Sequence, residues 1–396
     1  MLDESLLDDA DALARADHHA LLRGTAEAGA RVRTAARLAT ESGLSALRPD
    51  GRPRGLLVAG PGPAAGCATD LLAAFSHDAV PVALLRPTGT SAAPPALRWT
   101  LPGWAGPLDL LLVITPDGTE AGLTALVEQA YRRGCTVVAV SPAGGPLAEA
   151  VAGSHGLAVP AAPGPVPPGS AAEAGPGAVT DEAVGLSGPG ARPFVPGTLW
   201  ALLTPLLILA DRLGLAPAPP DALDALADRL DDIAGRCGPA TPTYTNPAKT
   251  LAVELAEALP VLWSEGPVAG AAARHFTTVL AALPGRPALA AELPEALTLH
   301  AALLGGAFPG GTEDGDDFFR DRVEDPEPPH ARLVLLRDAV TGPGSAAPAA
   351  RELAYAQDTG VSELEPGADG SAVQAAADLI ATTDFAAVYL ALTTDA

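Results

Sequence analysis

Three short segments, each following an apolar run, carry the residue types that hold an oxyanion: glycine for close backbone approach and hydroxyls as donors. GPGPAAG (60–66) offers Gly60 and Gly62, although Pro61 and Pro63 remove two of the possible amide donors. It forms no GxGxxG dinucleotide fingerprint, and it also reads as an ordinary turn. ITPDGTEAG (114–122) offers the hydroxyls of Thr115 and Thr119, followed by amides at the positive end of a helix. The same residues also read as a helix cap, with Asp117 or Thr119 capping and Glu120 in the first turn. VSPAGGPL (140–147) places Ser141 at a strand end ahead of Gly144 and Gly145, or is simply a turn. Three such segments in one domain predict a convergent anion site, with Gly60, Thr119 and Ser141 near one edge of a sheet.

The elements that position these segments follow from hydrophobic periodicity. GLLVAG (55–60), VPVALL (80–85), LDLLLVIT (108–115), CTVVAVS (135–141) and GLAVP (156–160) read as strands. They alternate with helices over 64–75, 118–133 and 146–152. Apolar strands without polar alternation, separated by helices, imply a parallel sheet covered on both faces. After a helix over 196–213 the cycle repeats, with strands at LPVLW (259–263), RPALAAE (286–292) and RLVLLRD (332–338). Helices are expected over 221–234, from Pro247, over 267–283, near Pro294, and over 347–357 and 372–392. Residues 3–47 read as helical, with apolar residues near a 3.6 period. The expected fold class is α/β, with two three-layer αβα domains on parallel sheets. The expected organisation is 1–160, a Pro/Gly-rich linker or loop at 161–195, and 196–396, with an acidic insertion at 310–329.

Composition narrows the function. The 396 residues exceed one ordinary core, and a net charge of −23 spread along the chain repels nucleic acid and anionic membranes. The charge also repels an anionic ligand at long range, so an anion site here must rely on local donors. No apolar run reaches the ~18 residues of a membrane span, and the acidic N-terminus is unlike a secretory leader, so a cytoplasmic protein is expected. Cys67, Cys135 and Cys237 are far apart and lack CxxC spacing. They read as small buried hydrophobes, and neither a metal nor a cofactor is expected.

The order of these motifs resembles the sugar-isomerase (SIS) family, in particular the bacterial and archaeal bifunctional phosphoglucose/phosphomannose isomerases. Those proteins carry GMGGSAIGGDLL-like, YSGNTEET-like and TSGGxL-like loops at three strand ends. This chain has GPGPAAGCATDLL (60–72), TPDGTEAG (115–122) and SPAGGPL (141–147), then NPAK (246–249) and VYLAL (388–392). The resemblance spans nearly the whole chain, and NPAK with the order of motifs is its most specific part. It implies that a phosphorylated hexose binds at Gly60, Gly62, Thr115, Thr119 and Ser141, and that the protein is a homodimer. It also implies departures. The hydroxyl positions that hold phosphate in the family fall here on Ala64, Pro116 and Thr119, and Arg192 is the one substitute for the family's interdomain arginine. The family's catalytic glutamate falls on Ala281. Its histidine corresponds most nearly to His300, two residues beyond the expected place, in PEALTLH (294–300), which keeps Glu295. Carboxylate and imidazole suit proton transfer between C1 and C2 because their pKa values tune toward neutrality. His300 also reads as a structural histidine. Lys249 does not occupy the position of the family's C-terminal catalytic lysine, and is expected to pair a carboxylate or cap the NPAK helix.

These expectations leave three functions open. One is a glucose/mannose-6-phosphate aldose–ketose isomerase whose activity is weak or lost. The second is a degenerate regulator or scaffold that binds a phosphorylated sugar. The third is an amidosugar isomerase-like enzyme.

Overall fold

The computed structural model describes residues 4–48, 51–91, 93–163, 195–305, 330–339, 344–367 and 370–394. The helical N-terminus is broken into α1 (Glu4–Leu7), α2 (Ala10–Ala16), α3 (Leu21–Ala26) and α4 (Ala28–Glu41). The local reason is polar capping. Asp9 accepts from Ala12 N, and Asp17 accepts from Leu21 N and Leu22 N, while Ala20 takes a left-handed φ of 54°. The expected continuous segment over 3–47 is therefore a chain of four helices.

The apolar runs of the first half become β1 (Gly55–Ala59), β2 (Val82–Leu85), β3 (Asp109–Ile114), β4 (Thr136–Ser141) and β5 (Leu157–Pro160). Between them run α5 (Gly62–Ser76), α6 (Ala121–Arg132) and α7 (Pro146–Gly153). The sheet is parallel throughout, in the order β2-β1-β3-β4-β5. The second half continues with α8 (Thr198–Arg212), α9 (Pro220–Cys237) and α10 (Pro247–Leu255). Then follow β6 (Ala258–Glu265), α11 (Pro267–Ala282), β7 (Leu289–Glu292), and two single turns, α12 (Ala296–Leu299) and α13 (Ala301–Leu304). The chain closes with β8 (His330–Arg337), α14 (Ala347–Ala356), β9 (Gly360–Leu364) and α15 (Ala372–Thr394). Its second parallel sheet has the order β7-β6-β8-β9. Each sheet reverses direction of growth next to its first strand, so the second sheet repeats the first with one strand fewer. Residues 164–194 and 306–329, which contain most of the expected linker and the acidic insertion, lie outside the described residues.

Alternation along the strands builds the layers. Leu57, Ala59, Leu111 and Val113 face one way, onto α6 and α7. Leu56, Val58, Leu110 and Leu112 face the other way, into a core shared with the second half. That core also takes Leu262, Val334 and Leu336, whereas Val261, Trp263, Leu333 and Leu335 face α12 to α14. The two sheets therefore share a middle layer of helices, with α4 on α8 and α9, α5 on α11, and α15 against α9, α10 and α11. Helix α15 is as long and apolar as a membrane span, yet it is wholly buried, which makes it the central rod of this layer.

Candidate functional site

Gly60, Thr115 and Ser141 follow or end β1, β3 and β4, which are neighbours in one parallel sheet, so all three stand at the same sheet end. Only glycine fits at position 60, because a Cβ there would lie 2.1 Å from the Ile114 carbonyl oxygen. Gly62 opens α5 with a φ of 73°. The second and third loops also touch: a Cβ on Gly118 would meet Pro142 at 3.3 Å and Ser141 at 3.8 Å. Ser141 Oγ is buried without a hydrogen-bond partner.

The second loop is filled from within. Helix α6 begins at Ala121 rather than Gly118, and neither Asp117 nor Thr119 caps it. Glu120 stands at the cap position and folds back, its Oε1 accepting from Thr115 Oγ1 at 2.8 Å. Thr115 Oγ1 in turn accepts from the amides of Asp117 and Gly118, both at 3.1 Å. The Thr115 hydroxyl, which the sequence offered to an anion, is thus taken up within the loop. Glu120 is 1% exposed, its Oε2 has no partner, and burial raises its pKa above the ordinary carboxylate value. Thr119 is exposed at the rim.

The equivalent place in the second sheet is filled the same way. After β8, the Asp338 carboxylate accepts from Val268 N at 3.0 Å, at the N-terminus of α11. Gly266, with φ 100°, lies so close that a Cβ would fall 2.0 Å from Asp338 Oδ1. Burial raises the Asp338 pKa, and the neighbouring Glu265 adds to the effect. Glu265 itself accepts from Ser345 Oγ at 2.7 Å and Ala346 N at 2.6 Å. Helix N-termini attract anions, and here the chain supplies its own.

The open space lies elsewhere, in a cleft of about 890 Å³ between the halves, walled by α5 and β2 on one side and α11 and β7 on the other. Gly60 and Gly62 reach it, together with Asp70, Arg86, Arg274 and His275, whereas Thr115, Thr119 and Ser141 do not line it. Arg274 bridges the two walls, bonding Asp70 at 2.7 Å and Glu292 at 2.6 Å. His275 is buried and pairs with Asp384 of α15.

His300 and Glu295 are brought to a different face. They flank α12, on the side of the second sheet that packs Trp263 and Ala296 and points away from the shared core. Glu295 is exposed, and neither residue lines the cleft. His300 Nδ1 accepts from Trp263 Nε1 at 3.3 Å, and partial burial lowers its pKa. Arg192 lies outside the described residues.

The NPAK motif is a clasp. The Asn246 side chain accepts from Ala248 N and Lys249 N to cap α10, and its Nδ2 donates to Gly238 O. Lys249 is fully buried and donates to the carbonyls of Pro239 and Thr241, both at 2.8 Å, with its ammonium over the Tyr389 ring. It binds backbone oxygens rather than a carboxylate or the helix cap. Sequence reading missed Glu120, Asp338 and the His275–Asp384 pair as buried groups. One signal was available: an aspartate inside a helix apolar on every side needs a partner.

Two parallel sheets, the second repeating the strand order of the first with one strand fewer and both packed on a shared layer of helices, define a two-sheet αβα protein. Residues 244–396 match the family described as bacterial phospho-glucose isomerase C-terminal SIS domain. No curated protein sequence matches the chain. Among solved structures, the fold is similar to the C-terminal domain of glucosamine-fructose-6-phosphate aminotransferase from Francisella tularensis, with a TM-score of 0.53 at 10% identity over 95% of this chain and 96% of that one. It is also similar to a putative phosphosugar isomerase from Silicibacter pomeroyi, with a TM-score of 0.52 at 16% identity over 94% and 97%. A third is a putative phosphosugar isomerase from Clostridium difficile, with a TM-score of 0.54 at 8% identity over 94% and 92%. At such identities these likenesses establish the architecture.

Proposed function

We propose that this protein binds a phosphorylated hexose in the interdomain cleft and has weak or no aldose–ketose isomerase activity. The carrying observation is the composition of the cleft wall. Its described carboxylate, Asp70, is held by Arg274, its imidazole, His275, is held by Asp384, and Glu295 and His300 face away from it. Proton abstraction next to a carbonyl needs a positioned base, and losing general acid–base help lowers rates by about 10²–10⁴-fold. Phosphate would be met at the cleft end where Gly60 and Gly62 open α5, with Arg86 and Arg274 as cationic partners. The filled loops at Glu120 and Asp338 favour this end over the strand-end sites. A homodimer in the cytoplasm is part of the same reading, and a monomeric mass by light scattering at tens of micromolar would count against the dimer.

The test combines binding with turnover. Fructose 6-phosphate, glucose 6-phosphate and glucosamine 6-phosphate should raise the melting temperature in a saturable way, following RT ln(1 + [L]/Kd). A coupled assay with fructose 6-phosphate should show turnover far below the ~10 s⁻¹ of a typical enzyme. Turnover near that value that disappears on His300→Ala or Glu295→Gln would place catalysis on the outer face and overturn the proposal.

A further inference from the structure

We infer that Arg31 and the start of α8 form a binding site for a small oxyanion, a phosphate or carboxylate group. Arg31 lies on α4 and is 4% exposed. Its Nε, Nη1 and Nη2 are all buried, and none has a hydrogen-bond acceptor among the described residues. The one described carboxylate within ion-pair reach is Glu27, 3.6 Å from Nη2, which is too far for a hydrogen bond. Glu27 is already engaged, its Oε1 accepting from Arg23 Nε at 2.6 Å. Arg337 gives the contrast: it is as deeply buried and pairs with both Glu365 and Glu363. A chain with 47 acidic residues therefore surrounds one buried guanidinium with carboxylates and leaves another without.

The second observation is the helix that begins beside Arg31. Gly197 opens α8 with a φ of 84°, and a Cβ there would lie 3.4 Å from Arg31 Nη1 and 2.3 Å from Gly24 O. Glycine at this position lets α3, α4 and α8 meet. No side chain caps α8, which runs for 15 residues, and Thr198 N turns back onto Val195 O at 3.3 Å. The positive end of a full helix and a guanidinium without an acceptor thus converge on one place.

That combination selects an anion with at least two oxygens. The arginine fork presents parallel N–H groups to two oxygens of a phosphate or carboxylate, and helix amides supply a further contact. A guanidinium accepts no hydrogen bond, so neither a cation nor a pure donor satisfies it. Burial lowers the Arg31 pKa and Glu27 opposes the effect, yet the group stays charged at neutral pH. Glu27 and Thr198, both half-buried, mark the side from which an anion enters. Neither Arg31 nor Gly197 lines the interdomain cleft, so the site does not rest on the sugar-phosphate reading.

The experiment follows the melting temperature of the full chain near pH 7 against inorganic phosphate or acetate, with ionic strength held by sodium chloride. Wild type, Arg31→Met and Glu27→Gln are compared. Without either anion, Arg31→Met should melt at or above the wild type, because it removes a buried charge that has no close partner. At about 50 mM phosphate or acetate the wild type should have gained about 3 °C more than Arg31→Met. Glu27→Gln removes the competing carboxylate and should reach half its gain at about threefold less anion. Phosphate bound in the cleft would raise all three proteins alike and cancels in the comparison, so the two readings fail separately. A response at lower phosphate than acetate assigns a phosphoryl group, and the reverse order assigns a carboxylate. Equal gains in wild type and Arg31→Met with both anions overturn the inference. Should Arg31→Met fail to fold, an unchanged midpoint in Glu27→Gln overturns it instead.

Discussion

Replacing Glu120 by glutamine removes a buried charge while keeping its one good hydrogen bond. Glutamine retains the Oε1 acceptor for Thr115 Oγ1 and puts a neutral amide where Oε2 has no partner. Because burial raises the folded-state pKa of Glu120, the folded protein binds more protons than the unfolded chain between the two values. The group's contribution is therefore fully present below the unfolded value and is lost as pH rises through the folded one. Each unit of separation corresponds to about 1.4 kcal/mol. At pH 7 the wild type carries this penalty and the variant does not. Glu120→Gln should thus be more stable at pH 7 by on the order of 1 kcal/mol, measured by urea unfolding. The advantage should shrink as pH falls toward 5, while other titrating groups such as Asp338 cancel in the difference. A variant less stable than the wild type at pH 7, with a gap that ignores pH, would refute the reasoning.

Three further outcomes follow from single contacts. Gly266→Ala should lower stability by about 2 kcal/mol or more in chemical unfolding, because φ 100° suits glycine and the new Cβ would overlap Asp338. Lys249→Met keeps the volume but leaves the carbonyls of Pro239 and Thr241 without their donor, so unfolding should show a loss of about 2–4 kcal/mol. Arg274→Gln, on a half-exposed side chain, should change stability by less than about 1 kcal/mol, yet reduce the thermal shift given by hexose phosphates.

The sequence by itself carried the architecture. Apolar runs bounded by glycine and proline mark all strands of the first sheet and β6 to β8 of the second, since strand and helix periods and terminating residues are local properties. Asn246 ahead of Pro247 likewise announces the start of α10. The short edge strand β9, GVSEL, mixes serine and glutamate into its run and gives no such signal. The N-terminal breaks at Asp9 and Asp17 depend on caps that a periodicity count averages away.

What stands beside what was decided only by the tertiary fold. Gly60, Thr115 and Ser141 meet because β1, β3 and β4 pair, and order in a parallel sheet follows from crossovers. His300 went to the far face because the turns after β7 pack on Trp263 rather than over the cleft. Glu120 turns back onto Thr115 and Asp338 reaches the start of α11 from the end of β8, which no spacing rule distinguishes from acidic residues facing water. His275 and Asp384 are 109 residues apart along the chain, and they meet because α11 and α15, each apolar enough to be buried, pack together in the shared layer of helices.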